Sequence, residues 1–106
     1  VATTAGLPGP RDEAVLDAVA TIPSGRVATY GMVADWVGTG PRQVGRTLSR
    51  FGGGVPWWRV VRADGTPPPA LAADAWAHLV GEGVARTRSG TRVDLAPAAW
   101  HGGAAR

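Results

Sequence analysis

Three stretches in the first half of the chain repeat apolar residues at helical spacing, and a fourth does so after residue 70. Val15, Val19 and Ile22, with Leu16 and Ala18, fall on one face of a first helix. Pro10 opens it at a position that tolerates a missing N–H. Asp12 and Glu13 occupy its first turn, where carboxylates favour the helix dipole, and Pro23-Ser24-Gly25 ends it. Arg26-Val27-Ala28 is a short extended piece, and Thr29 is an N-cap. Tyr30 to Val37 predicts a second helix with Val33, Trp36 and Val37 on one side. Gly38-Thr39-Gly40 is a turn, and Pro41 starts a third helix that runs to about Arg50. Two short helices around a Gly-bearing turn form the pattern of a helix-turn-helix, although many αα corners share it.

The third helix is two-faced. Val44, Leu48 and Phe51 cluster within about 60° of one another, and Arg42, Arg46 and Arg50 within about 80° on the opposite side. Gly45 sits near the apolar edge, where it would let another helix pack closely. Arg42 lies in the first turn, against the helix dipole, which points to a demand from outside the fold; an arginine snorkelling over apolar surface is the plainer alternative. Phe51-Gly-Gly-Gly54 is a breaker. Val55 to Val61, "VPWWRVV", is extended by composition, so that Trp57 and Trp58 alternate faces. Asp64-Gly65 is a turn signal and Thr66-Pro-Pro-Pro69 a stiff linker. Leu71, Ala75, Trp76 and Leu79 give a helix from Ala70 to about Val80, stopped by Gly81-Glu-Gly83. Val84 to Leu95 reads as a hairpin around Ser89-Gly90, a wing or covering sheet, and Trp100 as a lid on the core.

Composition narrows the functions. At 106 residues, 44% hydrophobic and 18% charged, the chain is expected to be one soluble domain. It has no apolar run of membrane-spanning length and no secretory signal pattern, so a cytoplasmic location is the default. With no cysteine there is no disulfide, thiolate metal site or cysteine nucleophile. His78 and His101 are too few for a histidine-rich metal site, and no phosphate-binding loop or catalytic constellation assembles; Asp74 and Glu82 read as solvated or capping groups. No metal and no cofactor is expected. The net charge is +3, and between Asp35 and Asp64 no acid balances Arg42, Arg46, Arg50, Arg59 and Arg62. Such a block fits a polyanion surface or a plain solvated face. The adjacent tryptophans fit either a stacking platform for an extruded base or the filling of a small core.

Three runs in order, "IPSGRVATYG", "GPRQVGRTLSR" and "VPWWRVV", resemble the DNA-binding domain of O6-alkylguanine-DNA alkyltransferases. That family carries a Pro-Cys-His-Arg-Val active site whose cysteine accepts the alkyl group. Here Pro56, Arg59 and Val60 match, Trp57 stands at the cysteine position and Trp58 at the histidine position. Tryptophan for cysteine is the mark of the alkyltransferase-like proteins, which bind alkylated guanine without repairing it. The resemblance spans about Pro10 to Trp100. It implies a mainly α fold with short β elements: a single winged helix-turn-helix domain over residues 10–101, after a loose segment at 1–9 and before a tail at 102–106.

By the same resemblance, Tyr30 presses on the phosphate beside the target nucleotide, and Arg42 is the finger that enters the duplex through the minor groove. Gly45 belongs to the part of the recognition helix that approaches the groove, and Arg46 and Arg50 are available for phosphates. Pro56, Trp57, Arg59 and Val60 form the alkylguanine pocket, with Arg59 bracing its loop and Trp58 in the pocket or the core. The implied partners are double-stranded DNA containing alkylated guanine and nucleotide excision repair proteins, with the chain a monomer and away from membranes. Two departures stand out. Trp58 cannot relay protons, and the loop "TPPPALA" is uncharged where some relatives carry a basic residue thought to sense the modified guanine; Arg62 and Arg86 are the nearby cations. The alternative is a winged-helix transcriptional regulator that reads undamaged DNA with the same basic helix.

Overall fold

The element boundaries follow local chemistry closely at the N-terminal end. In the computed structural model, which describes residues 6–102, α1 (Pro10–Ala20) starts with its proline at the first helical position. Asp12 Oδ2 accepts the Gly9 N–H at 3.0 Å. Expectations for residues 1–5 and 103–106 lie outside the described residues. β1 (Ala28–Thr29) runs into α2 (Tyr30–Val37), whose N-cap Thr29 accepts the Met32 N–H at 3.1 Å through Oγ1. Gly38 takes φ 85°, a left-handed conformation that only glycine adopts cheaply, and turns the chain towards α3 (Pro41–Phe51). The α2–turn–α3 pair is the helix-turn-helix.

Two of the expected faces changed on folding. On α3 the buried residues are Val44 and Thr47, while Leu48 and Phe51 are only half-buried. Thr47 is buried because its hydroxyl donates to Asp12 Oδ1, which also accepts from Gln43 at 3.2 Å. Asp12 is therefore a tie between α1 and α3 as well as a first-turn carboxylate. The Thr47 hydrogen bond, followed by the Gly9 N–H, holds its carboxyl below the usual range despite partial burial.

The segment 55–61 is not one extended strand. Trp57–Arg59 winds into a 3₁₀ turn, with the Trp57 N–H on the Val55 carbonyl at 2.7 Å and the Arg59 N–H on the Pro56 carbonyl at 3.0 Å. Within the segment, only β2 (Val60–Val61) forms a strand, pairing parallel with β1 in the register Ala28 to Val60 and Thr29 to Val61. On the far side of β1, Val27 bridges Ala99, and the Trp100 N–H reaches the Val27 carbonyl at 2.7 Å.

This small sheet separates two cores by the alternation of strand side chains. Ala28 and Val60 face Val15, Val19, Val33 and Val44 of the three helices, and Ile22 just past α1. Val27 and Val61 face Leu79, Val84, Val93 and Ala98. Trp100 packs on the first cluster, edge-to-face with Trp36 at 5.6 Å between ring centroids. α4 (Ala72–Gly81) is preceded by a 3₁₀ turn at Pro69–Leu71 rather than starting at Ala70.

The expected hairpin contracts to a single antiparallel bridge, Arg86 to Val93, and residues 95–98 form a short helix, α5 (Leu95–Ala98). Thr87 N–H on the Arg92 carbonyl and Asp94 N–H on the Ala85 carbonyl, both at 2.9 Å, flank the bridge, and only Val84 and Val93 of that stretch are buried, so the polar Arg, Thr and Ser side chains between them leave a small wing rather than a covering sheet. The fold is mainly helical with a two-stranded sheet, and among the described residues no helix is long and apolar enough to cross a membrane.

Gly65 locks the closing segment to β2. Its φ is 88°, its N–H and C=O bond to Arg62 and Val93, and a Cβ there would lie 2.5 Å from the Val93 carbonyl oxygen. Gly65→Ala is expected to cost about 2 kcal/mol or more, combining left-handed strain with displacement of the Val93 backbone. Urea unfolding of the two proteins measures it.

Candidate nucleic-acid interface

A cavity of about 540 Å³ opens between the helix-turn-helix and the Pro-rich loop. That volume lies in the roughly 300–1,000 Å³ range of ligand pockets. Tyr30, at the first residue of α2, and Gly45, Leu48 and Ser49 of α3 form one side. Gly52, Gly53 and Trp57 form the floor, and Pro68, Ala70 and Leu71 the opposite wall. Nothing lies within 4 Å of a Cβ placed on Gly45, so this glycine opens space beside the cavity and does not serve close helix packing. Burial raises the Tyr30 phenol above its usual pKa, an effect that the charge of Arg62 only partly offsets. Tyr30 is therefore a neutral hydrogen-bond donor at physiological pH.

The structure brings Tyr30, Gly45 and Trp57 together and separates the other expected pocket residues from them. Pro56 precedes the Trp turn and does not line the cavity. Val60 is fully buried in the sheet. Arg59 points away: Nη1 donates to the Ile22 carbonyl at 2.8 Å, Nε to Glu82 Oε1 at 3.0 Å and Nη2 to Glu82 Oε2 at 2.6 Å. Trp58 takes the core side. Its Nε1 donates to Glu82 Oε2 at 2.9 Å, its ring stacks on His78 at 3.8 Å with 11° between planes, and it packs on the second core cluster. Trp57 stands edge-on to it at 5.9 Å, facing the cavity.

Glu82 is the residue that sequence reasoning missed. Read as solvated or capping, it instead gathers Arg59, Trp58 and the Gly25 N–H at 3.2 Å, and it forms a salt bridge with Arg59. Burial pushes its carboxyl up, but the hydrogen bonds from Arg59, Trp58 and Gly25 and the charge of Arg59 outweigh this, so its pKa falls below the usual 4.5. No signal short of knowing the fold joins Glu82 to Trp58. The Pro-rich wall had a signal, "TPPPALA", which composition reads as a stiff linker and the family resemblance as the loop where some relatives sense the modified guanine.

With Arg59 internal, the exposed part of the basic block is Arg42, Arg46, Arg50 and Arg62. Arg50 lies over the Phe51 ring at 5.2 Å. Arg62 acts on Tyr30 and Asp64 by charge without lining the cavity. Arg86 instead lies over Trp76 at 5.8 Å. An uncharged cavity beside a row of exposed guanidiniums can hold an aromatic ring while the surrounding cations meet phosphates. Among the described residues no group of three or more His, Cys, Asp or Glu is placed to hold a metal ion.

Comparison with known proteins matches residues 10–88 to the family described as 6-O-methylguanine DNA methyltransferase, DNA binding domain. A DNA base-flipping protein of Escherichia coli K12 is 42% identical over 90 residues, 78% of this chain and 68% of that protein. Alkyltransferase-like protein 1 of Schizosaccharomyces pombe is 45% identical over 56 residues, 49% of this chain and 52% of that one. The crystal structure of S. pombe Atl1 in complex with damaged DNA containing O6-carboxymethylguanine superposes with a TM-score of 0.73 at 34% identity, covering 85% of this chain and 94% of the other.

Glu82→Gln should loosen the Trp turn. Charge-assisted hydrogen bonds are worth roughly 1.5–3 kcal/mol, so a loss of about 2 kcal/mol at pH 7 is expected. The lowered pKa means that the carboxylate stabilises the fold above the unfolded value and that this contribution disappears as pH falls below 4.5 through the folded value. Stability curves of parent and variant should therefore converge on acidification. Parallel curves from pH 7 to pH 3 would count against the network.

Proposed function

The chain belongs to the 6-O-methylguanine DNA methyltransferase DNA-binding-domain family, and from that premise we propose that it recognises O6-alkylguanine in duplex DNA by flipping it, and leaves it unrepaired. The observation that carries this reading is Trp57. It walls the cavity at the position where the family's resemblance puts the alkyl-accepting cysteine, and the chain has no cysteine at all. Alkyl transfer needs a nucleophile that forms a bond to the alkyl carbon as the guanine O6 leaves. An indole is not one. The cavity's two hydroxyls belong to Tyr30, whose pKa is raised, and Ser49, and no charged side chain in the lining could serve as their base.

The sequence of events is physical positioning. α3 lies along the duplex, and Arg46, Arg50 and Arg62 contact phosphates. Arg42, exposed in the first turn of α3, enters the stack as the nucleotide leaves it. Tyr30 presses on the adjacent phosphate, while Gly45 keeps the helix surface low. Extruding a base costs a few kcal/mol, less where the pair is already damaged. Stacking on an aromatic ring returns about 1–3 kcal/mol, and the inserted guanidinium offsets the rest in the negative minor groove. Pro56, Arg59 and Val60 act behind the cavity, holding the turn that presents Trp57. The complex with bent, flipped DNA is the signal handed to nucleotide excision repair proteins.

Duplexes carrying one O6-methylguanine should bind at least tenfold tighter than the same duplex with guanine, with Arg42→Ala removing most of that difference. A 2-aminopurine beside the lesion should brighten as stacking is lost. Arg46→Ala should weaken both duplexes alike and reduce the salt slope by about one. Equal affinities that Arg42→Ala leaves unchanged would overturn the reading. Trp57→Cys is expected to show no alkyl transfer to protein by mass spectrometry, because Trp58 occupies the place of the activating histidine.

A further inference from the structure

We infer that the cavity selects neutral, apolar O6 substituents and discriminates against anionic ones, a specificity that rests on the lesion-reading function proposed above. None of the residues lining the cavity is charged. One wall is Pro68, Ala70 and Leu71, facing Leu48 on α3, and the only polar side-chain groups besides the Trp57 indole are the hydroxyls of Tyr30 and Ser49. An alkyl chain entering this space loses water against hydrocarbon on both sides. A carboxylate entering it would lose water and gain no counter-ion.

The neighbouring charges do not change the balance. Arg62 does not line the cavity, and its field also acts on Asp64. Arg59 is committed to Glu82. The N-terminal end of α4, beside Ala70 and Leu71, could have offered free N–H groups to an anion. The two N–H groups nearest the wall are engaged, that of Leu71 with the Pro68 carbonyl and that of Ala72 with the Pro69 carbonyl, and Asp74 puts a negative charge in the first turn that opposes an anion at the rest.

The test is a set of duplexes identical except for guanine, O6-methylguanine, O6-propylguanine or O6-carboxymethylguanine. Propyl and carboxymethyl are similar in size and differ in charge. Burying each added methylene should tighten binding by about fourfold. Propyl should exceed carboxymethyl by at least tenfold. Leu71→Arg, at a wall position that is 44% exposed and so tolerant of substitution, should shift the carboxymethyl-to-propyl ratio at least tenfold towards carboxymethyl. Ala70→Arg, also exposed, should act in the same direction. Using the ratio within one variant cancels the general attraction of an added charge for DNA. Val80→Arg, exposed on α4 and not lining the cavity, should leave the ratio unchanged. If carboxymethyl and propyl bind equally and both exceed guanine, the specificity inference is wrong and lesion reading stands. If no adduct exceeds guanine, both fall. A ratio that moves with neither wall variant overturns the assignment to this wall.

Discussion

A single carboxylate holds the site in shape. Glu82, just past α4, draws the Trp58 indole and the Arg59 guanidinium to itself, takes the Gly25 N–H as well, and leaves Arg59 one further arm for the Ile22 carbonyl. The loop after α1, the Trp turn and the end of α4 are thereby fastened at one point. With side-chain exposures of 16% and 14%, the Arg59–Glu82 pair is sheltered enough for geometry to matter more than screening. Trp58 is pinned on its indole N–H and by His78 across its face, so its neighbour Trp57 has one direction left, towards the cavity.

What the sequence disclosed and what it hid divide along locality. The apolar spacing of Val15, Val19 and Ile22, the Thr29 cap and the glycine after Val37 all act within a turn or two of chain, and the first three helices follow from them. The Trp turn does not. Val-Pro-Trp-Trp-Arg has β composition, and its winding depends on a partner 23 to 24 residues later. Arg59 was counted in the basic block for the same reason, since nothing local says that it faces inward. Thr47 was hidden because its burial is a response to Asp12 on another helix. The hairpin is shorter than its alternation suggests, because only Val84 and Val93 reach the core and the residues around Ser89-Gly90 between them are polar on both faces.

The arginines divide into two kinds of work, and the division defines the surface. Arg26 and Arg59 are spent on carbonyls and on Glu82, tying Ala98, Ala99 and Ile22 into the fold. Those on α3 are left at the surface beside a cavity with no charge in it. A nucleic acid presents the complementary arrangement: charge along its backbone and a flat, weakly polar ring once a base is extruded. In the proposed reading α3 addresses both, its exposed arginines meeting phosphates and its cavity-lining Gly45 and Leu48 the ring.

The indole of Trp57 has a consequence for how many times one molecule can act. A protein that takes an alkyl group onto a thiol is consumed by each event, so its capacity is a head-count. A wall that only stacks is unchanged when the base leaves. In a lesion reader built this way, the response to damage is governed by occupancy and dwell time, and one copy can survey many lesions in succession.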